Sequence, residues 1–414
     1  IRESTNNNYF NYFYQSAANL EAIIEMNTNE ATAPRMAAYG DNNNQIAAAK
    51  ILKVWLYQLM TDTWGAIPYS EASKLTEGKF YPKYDEQSEI YSGLMAELDD
   101  AVSLIDESKP AFTSGDRIFD GDASKWKKFA NSLKCRLAIH LSKVDSNWKT
   151  YIAEALASGV FESNDDNAVY TYSVTAPEQS GFYIGFFEEK RNDFTITRPF
   201  VDLLKGQKDT LNAKSHPWEG TVDPRLPIYT TSVDGNYVGM PYGIASNEIM
   251  PSMVGAAPDW YSPTSHPVTL NADFPVPLMT FAELQFIISE YKGFSAAEYK
   301  EGIKASLEYW SGINGSPISA SQIDSYITAV SENVTPETVA LQKYIDLYMN
   351  GTEAWVEYRR TGYPTQIIKP GEISCIVDGE PLVFDPLSET KGDIISRVKY
   401  PTNESTLNGA NFKA

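Results

Sequence analysis

The chain has 414 residues, 43% of them apolar, with a formal net charge of -20 and two cysteines. That length supports one large core or two to three ordinary ones. The acidic balance, with Lys and Arg scattered rather than clustered, argues against nucleic acid and anionic membranes as partners and favours a neutral ligand.

Aromatic residues make up 13% of the chain, including 26 Tyr and 8 Trp. That is more than a core needs when so many lie in Pro/Gly-rich segments, and such rings are what carbohydrate or protein surfaces dock on. Cys135 and Cys375 lie too far apart to read a disulfide framework or a Cys-based metal site from spacing. Cys135 falls in a helical apolar pattern and is expected to be a buried free thiol. No run of 18 apolar residues marks a membrane span, and no signal peptide is visible. The Ile1-Arg2-Glu3 start, lacking Met, leads to the expectation that an upstream segment has been removed.

Residues 9–26, with Tyr9, Phe10, Tyr12, Phe13 and Tyr14 ahead of Leu20, Ile23 and Ile24, predict a helix with an aromatic first half. Asp41-Asn42-Asn43-Asn44 offers N-cap chemistry for the next helix, which should pack against the first as an antiparallel pair. In it Ile51, Trp55 and Leu59 recur every four residues, and Leu52 and Leu56 widen the stripe, so the helix is buried on most sides. Gly65 supplies a residue that takes φ > 0, and Pro68 fixes φ and removes a donor, so the helix must stop near Trp64. Read alone, Trp64-Gly65-Ala66-Ile67-Pro68-Tyr69 is either a binding loop or a packed corner.

Asp85 is expected to cap a third helix with a stripe at Ile90, Leu94, Leu98, Val102 and Ile105. Residues 126–141 place Phe129, Leu133, Leu137 and Leu141 at i, i+4 steps as a fourth helix. A fifth spans 147–158 and ends at Gly159. From about 160 to 278 periodicity is poor and turn chemistry dense. Strands are expected near 168–173 and 227–231, with a hairpin across Asp234-Gly235. A loop region this long in a compact chain, rich in aromatics and prolines, carries function.

Helices resume at 278–291. Ser295 and Glu298 form a capping box for a helix through Ile303, Leu307 and Trp310, and the two together have the length of a tetratricopeptide unit. Further helices are expected at 319–330 and 336–360, the latter with Leu341, Ile345, Tyr348 and Trp355 facing inward and Pro336 in its first turn.

Enzyme signatures are absent: no GxSxG elbow, P-loop, GxGxxG or HExxH. His140, His216 and His266 are dispersed, and His140 is expected to be structural. Glu283 and Glu290 fall seven apart on one helical face; caps and interhelical bonds account for them as readily as metal or acid/base work. No catalytic residue, cofactor or metal is assigned.

Five stretches resemble a known family in order. They are Asp62-Thr63-Trp64-Gly65-Ala66-Ile67-Pro68-Tyr69-Ser70-Glu71-Ala72, residues 126–141 around Asn131-Ser132-Leu133, Phe274-Pro275-Val276-Pro277-Leu278-Met279-Thr280-Phe281-Ala282-Glu283, Glu353-Ala354-Trp355-Val356-Glu357-Tyr358-Arg359-Arg360-Thr361-Gly362-Tyr363-Pro364, and Tyr400-Pro401-Thr402-Asn403-Glu404. They look like the SusD/RagB family of Bacteroidetes surface lipoproteins, over essentially the whole chain.

The resemblance implies a mainly α fold: a right-handed helical scaffold of four tetratricopeptide-like helix pairs with a large irregular region of loops and short strands packed on it. As one domain, 1–414, it would comprise N-terminal helix pairs (1–160), an irregular binding region (160–278), C-terminal helix pairs (279–364) and an irregular end (365–414). It further implies a lipid-anchored protein, exposed at the outer membrane, that captures a glycan, or in some members a peptide, and passes it to a SusC-like TonB-dependent transporter. The signal peptide and lipid-bearing Cys expected of the family are not in this sequence.

The leading functional reading is therefore a non-enzymatic binding lipoprotein. Trp218, Tyr237, Tyr242, Trp260 and Tyr261 are the candidate ligand-facing rings because each sits in a turn-rich segment, with Asn236 and Asp259 as edge hydrogen-bonders. Packing of the loop onto the helices is the competing reading for each ring. The alternatives are a pure protein-interaction scaffold and a glycoside hydrolase with carboxylates on the same loops.

Overall fold

A computed structural model describes residues 3–191, 194–244, 262, 264, 268, 270–314, 317–386 and 392–412. The chain is mainly helical with few short strands. It separates into two compact units, one of Ile1–Val169, Leu278–Thr280 and Ser396–Ala414, the other of Tyr170–Pro277 and Phe281–Ile395. Strands β3 (Ala168–Thr171) and β4 (Pro275–Met279) lie at the unit boundaries, β3 where a strand is predicted. Among the described residues no helix is long and apolar enough to cross a membrane.

In the first unit α1 (Glu3–Thr28) packs against α2 (Asn42–Trp64), α2 against α3 (Gln87–Leu104), and α4 (Ala123–His140) against α5 (Trp148–Ser158). As expected, the Asp41 carboxylate accepts the backbone N–H groups of Asn43 and Asn44, two donors that the first turn of α2 leaves open. Ile51, Val54 and Met60 are fully buried, whereas Trp55 is only half-buried. Cys135 is a buried free thiol, and burial pushes its pKa up to about 12.

The third helix corrects one expectation. Its cap is Glu86, in a reciprocal capping box with Glu89. Asp85 instead accepts from the backbone N–H groups of Tyr69 and Ser70 and from the Ser70 hydroxyl, tying the corner after α2 to the two-strand ladder of β1 (Ile67–Pro68) and β2 (Tyr84–Asp85).

The Trp64 corner is a packed one. Trp64 is 0% exposed, edge-on to Phe10 and Phe13 with centroids 5.1 and 6.0 Å away, and its indole N–H reaches Asn6 Oδ1 at 3.2 Å. Gly65 then takes φ 85°, a conformation that favours glycine, beside the Arg397 guanidinium. The C-terminal segment closes over it: Val398 N–H donates to Thr63 O at 3.0 Å and the Tyr400 hydroxyl to Ala66 O. Buried Asp62 accepts from Tyr91 at 2.8 Å and Gln58 at 2.9 Å, with His140 Nδ1 3.0 Å from the same tyrosine hydroxyl.

In the second unit α6 (Arg198–Leu204) follows a stretch of irregular chain. Then α7 (Phe281–Tyr291) pairs with α8 (Ala296–Asn314), α9 (Ala320–Val330) follows, and α10 (Pro336–Asp346) pairs with α11 (Gly351–Thr361). The single helix expected over 336–360 is broken in two. Met349 adopts φ 70°, a conformation that ends a helix, and Asn350-Gly351 restarts it. Arg360 cross-links the helices with a bidentate pair to Glu290 at 2.6 and 2.7 Å and a further bond to Glu357 at 2.7 Å. Glu290 is thus used for an interhelical bond. Strands β5 (Ile373–Val377) and β6 (Glu380–Val383) form a hairpin around Asp378-Gly379, both at positive φ.

A fully buried ion pair ties the chain around 223–229 to the helices of its unit. Arg225 donates to Asp223 at 2.6 and 2.9 Å, to Ser306 on α8 at 2.8 Å and to Gln342 on α10 at 2.7 Å. The Tyr326 hydroxyl on α9 completes the carboxylate at 2.6 Å. A pair this enclosed is tolerable only because every charged atom finds a partner. The same residues explain why 227–231 is not the expected strand. Asp223 caps the Arg225 N–H at 2.8 Å, Pro227 presets φ, and a helical turn, Leu226–Tyr229, results.

Candidate functional site

Within the irregular region, Gly181-Phe182-Tyr183-Ile184-Gly185-Phe186-Phe187-Glu188 places four aromatic rings in six residues. A single α-turn, Gly181–Tyr183, runs into a π-helix, Ile184–Glu188, a wide turn often found at functional sites. Ser180 anchors the start through its N–H to Ala272 O at 2.7 Å.

The rings fall into two i, i+4 rows. Phe182 and Phe186 stack with centroids 6.4 Å apart and planes at 21°; Tyr183 and Phe187 stack at 4.8 Å and 26°. Phe194 joins the first row, 6.0 Å from Phe182 and 6.4 Å from Phe186. Phe187 is 44% exposed and Phe194 61%. A group of three rings and a stacked pair, with Phe187 and Phe194 exposed and the other three half-buried, form an apolar platform of the kind that marks interaction sites.

Polar backbone holds the platform's edge. Thr195 donates to Ser262 O at 2.7 Å, Ser262 N–H to Val238 O at 2.7 Å, and Val238 N–H back to Ser262 Oγ at 3.0 Å. Met240 and Thr197 form a parallel bridge, and a Cβ on Gly239 would sit 2.4 Å from Arg198 Cα, so this close approach requires glycine. Arg198 in turn fixes α6: it donates to Asp209 at 3.0 Å and to Ser374 O at 3.1 Å. Burial pushes the Asp209 carboxyl up, but Arg198 and Asn212 outweigh it and hold its pKa below the usual range.

The residues singled out from sequence are distributed unevenly around this platform. Tyr237 and Asn236 lie on the same ribbon, next to Val238. Asn236 is exposed beyond the Asp234-Gly235 hairpin, whose turn residues have φ 48° and 77° as the sequence predicts, and Tyr237 is half-buried. Tyr242 is spent on structure: its hydroxyl donates to Ile368 O at 2.9 Å and accepts from Ile368 N–H at 2.7 Å, and burial raises its pKa. Trp218 is 4% exposed, packed edge-on to His216 at 5.8 Å, with no partner for its indole N–H among the described residues. Asp259, Trp260 and Tyr261 lie outside the described residues. The 181–187 rings were missed, although aromatics between glycines in a turn-rich segment are the signal used for the others.

Two clefts lie among the described residues of this unit. One, of about 830 Å³, is lined by Pro224, Pro227, Pro317, Ile318 and Tyr326, the last committed to Asp223. The other, of about 530 Å³, is lined by Arg198, Asp202, Lys208 and Glu219. The platform offers a flat, hydroxyl-edged ring stacked aromatic faces, whereas the larger cleft mixes aliphatic walls such as Ile228 and Ile318 with polar ones and the smaller is lined mostly by charged and polar side chains.

Comparison with known proteins follows the same line. No curated protein sequence matches the chain. A solved chitin-binding protein superposes with a TM-score of 0.77 at 26% identity, covering 99% of this chain and 84% of its own. A SusD homologue from Bacteroides uniformis gives 0.71 at 25% identity, covering 96% and 80%. One from Parabacteroides distasonis gives 0.76 at 22%, covering 99% and 84%, and shows the shared fold. The family model described as SusD-like, starch-binding and associating with the outer membrane, matches residues 1–374. The chain belongs to this SusD-like family.

Proposed function

We propose that this SusD-like chain is a non-enzymatic glycan-binding protein whose ligand lies on the 182–194 ring platform, with Tyr237 and Asn236 at its edge. The observation that carries the reading is the platform itself: a group of three rings and a stacked pair, with Phe194 61% exposed, on an irregular region tied to helices by Arg225. Sugars stack their C–H faces on such rings and place hydroxyls at a polar rim. The net charge of -20 favours a neutral glycan over a polyanionic one. A binding role, not catalysis, also fits the use of Glu290 and Asp223 as ion-pair partners of buried arginines.

In this reading the protein is lipid-anchored, displayed at the outer membrane, and hands its glycan to a SusC-like transporter. Trp260, Tyr261 and Asp259 remain part of the proposal as further ligand contacts. Calorimetric titration against neutral and acidic polysaccharides tests it. Binding of a neutral glycan without turnover is expected. Failure of every glycan, with capture from a peptide library instead, would replace this reading with the peptide one.

A further inference from the structure

The platform ends in a closure that covers one of its own rings. Lys190 takes φ 56°, a left-handed conformation that L side chains avoid and glycine adopts freely. Two hydrogen bonds of 2.9 Å impose it, from Glu189 N–H to Ile184 O and from Arg191 N–H to Gly185 O, which close the wide turn. With the backbone bent back this way, Lys190 Nζ lies 4.6 Å from the Phe187 ring centroid. Tyr183 stacks on the same ring at 4.8 Å. Phe187 is thus an exposed ring whose faces already have two partners.

The geometry points to Lys190 as a displaceable cover on Phe187 that sets how tightly the platform holds a neutral glycan. This rests on the glycan reading above. The ammonium occupies a ring face on which a sugar would stack, so a neutral sugar reaches the Phe187 subsite only by breaking the cation–π contact. An exposed contact of this kind is weak, so the cover moves, but it is subtracted from the affinity. Arginine stacks on aromatic faces more persistently than lysine and would strengthen the cover. Because Lys190 is exposed and outside any core, its substitution leaves folding intact.

The test is calorimetric titration of wild type, Lys190→Ala, Lys190→Arg and Lys190→Ala/Phe187→Ala with maltoheptaose, xylohexaose and the N-acetylglucosamine hexamer. Lys190→Ala is expected to bind whichever sugar the wild type binds roughly two- to fivefold tighter, the size of an exposed cation–π contact. Lys190→Arg should bind no tighter than wild type, and the added Phe187→Ala should cancel the gain. Equal or weaker binding by Lys190→Ala overturns the cover while leaving the glycan reading intact. Binding by none of the four proteins overturns both.

Discussion

Two aromatic clusters in this chain have similar ring content and opposite fates. Around Trp64, the rings of Phe10 and Phe13 close on an indole with no exposed surface, and its N–H is paired with Asn6. Around Phe186, rings stack in two rows whose outer members Phe187 and Phe194 are exposed, on a π-turn closed by backbone bonds. The first cluster sits at the end of a 23-residue helix that is buried on most sides; the second sits in chain with almost no regular structure. Ring density therefore does not distinguish a core from a binding face. What separates these two clusters is exposure: Trp64 has none, whereas Phe187 and Phe194 keep 44% and 61% of theirs.

The sharpest way to break this contrast is Trp64→Ala. It should cost about 3–5 kcal/mol of stability, read as a lowered urea midpoint, because it empties a fully buried aromatic site. Glycan affinity of the folded fraction should not change; lost binding with an intact fold would mean that the corner touches ligand. Next is Trp218, which lies in the irregular region yet is buried like Trp64. Trp218→Ala should cost about 3 kcal/mol, while Trp218→Phe, which also removes the unpaired indole N–H, should cost less than about 1.5 kcal/mol. Weakened glycan binding by the stable Phe variant would return Trp218 to the binding face.

The smallest effect is on pH dependence. Burial lowers the His216 pKa below its ordinary 6.5, with Glu219 and the Gln207 backbone opposing in part. The unfolded chain therefore binds the proton more readily, so stability is intact above 6.5 and declines as pH falls through 6.5 toward the folded value. Replacing His216 by Gln should remove that share of the decline, seen as a smaller difference between urea midpoints above and below 6.5. An unchanged difference would mean that His216 is accessible to solvent in the folded state.

Much of the scaffold was legible because helices announce themselves by period and caps. The Asp41 cap, the Gly65 stop, the stripe through Ile90, Leu94 and Leu98, and Gly159 at the end of α5 all follow from local chemistry. The departures have local causes as well. Asp85 is intrinsically the better cap, but its carboxylate is taken by the Tyr69 and Ser70 amides, and the cap falls to Glu86 one residue on. Residues 336–360 kept a helical period across a break that Met349 makes through its backbone alone.

The site was less legible for a different reason. Trp218 and Tyr242 lie in turn-rich chain as binding rings do, and only tertiary contacts with His216 and Ile368 use them up. The 182–187 rings follow i, i+4 rows that from sequence alone look like the buried stripe of a helix.

The account stands or falls on whether those rings meet the ligand. The direct measurement is calorimetric titration of Phe194→Ala/Tyr183→Ala with the glycan that the wild type binds, alongside a thermal melt of the same protein. Phe194 is exposed and Tyr183 half-buried, so the stability loss should be limited to the ring contacts given up, about 0.5–1.5 kcal/mol per site. Affinity should fall roughly tenfold, from the loss of two stacking faces of about 0.5–1.5 kcal/mol each. Unchanged affinity in the stable double variant would contradict the platform as the glycan site.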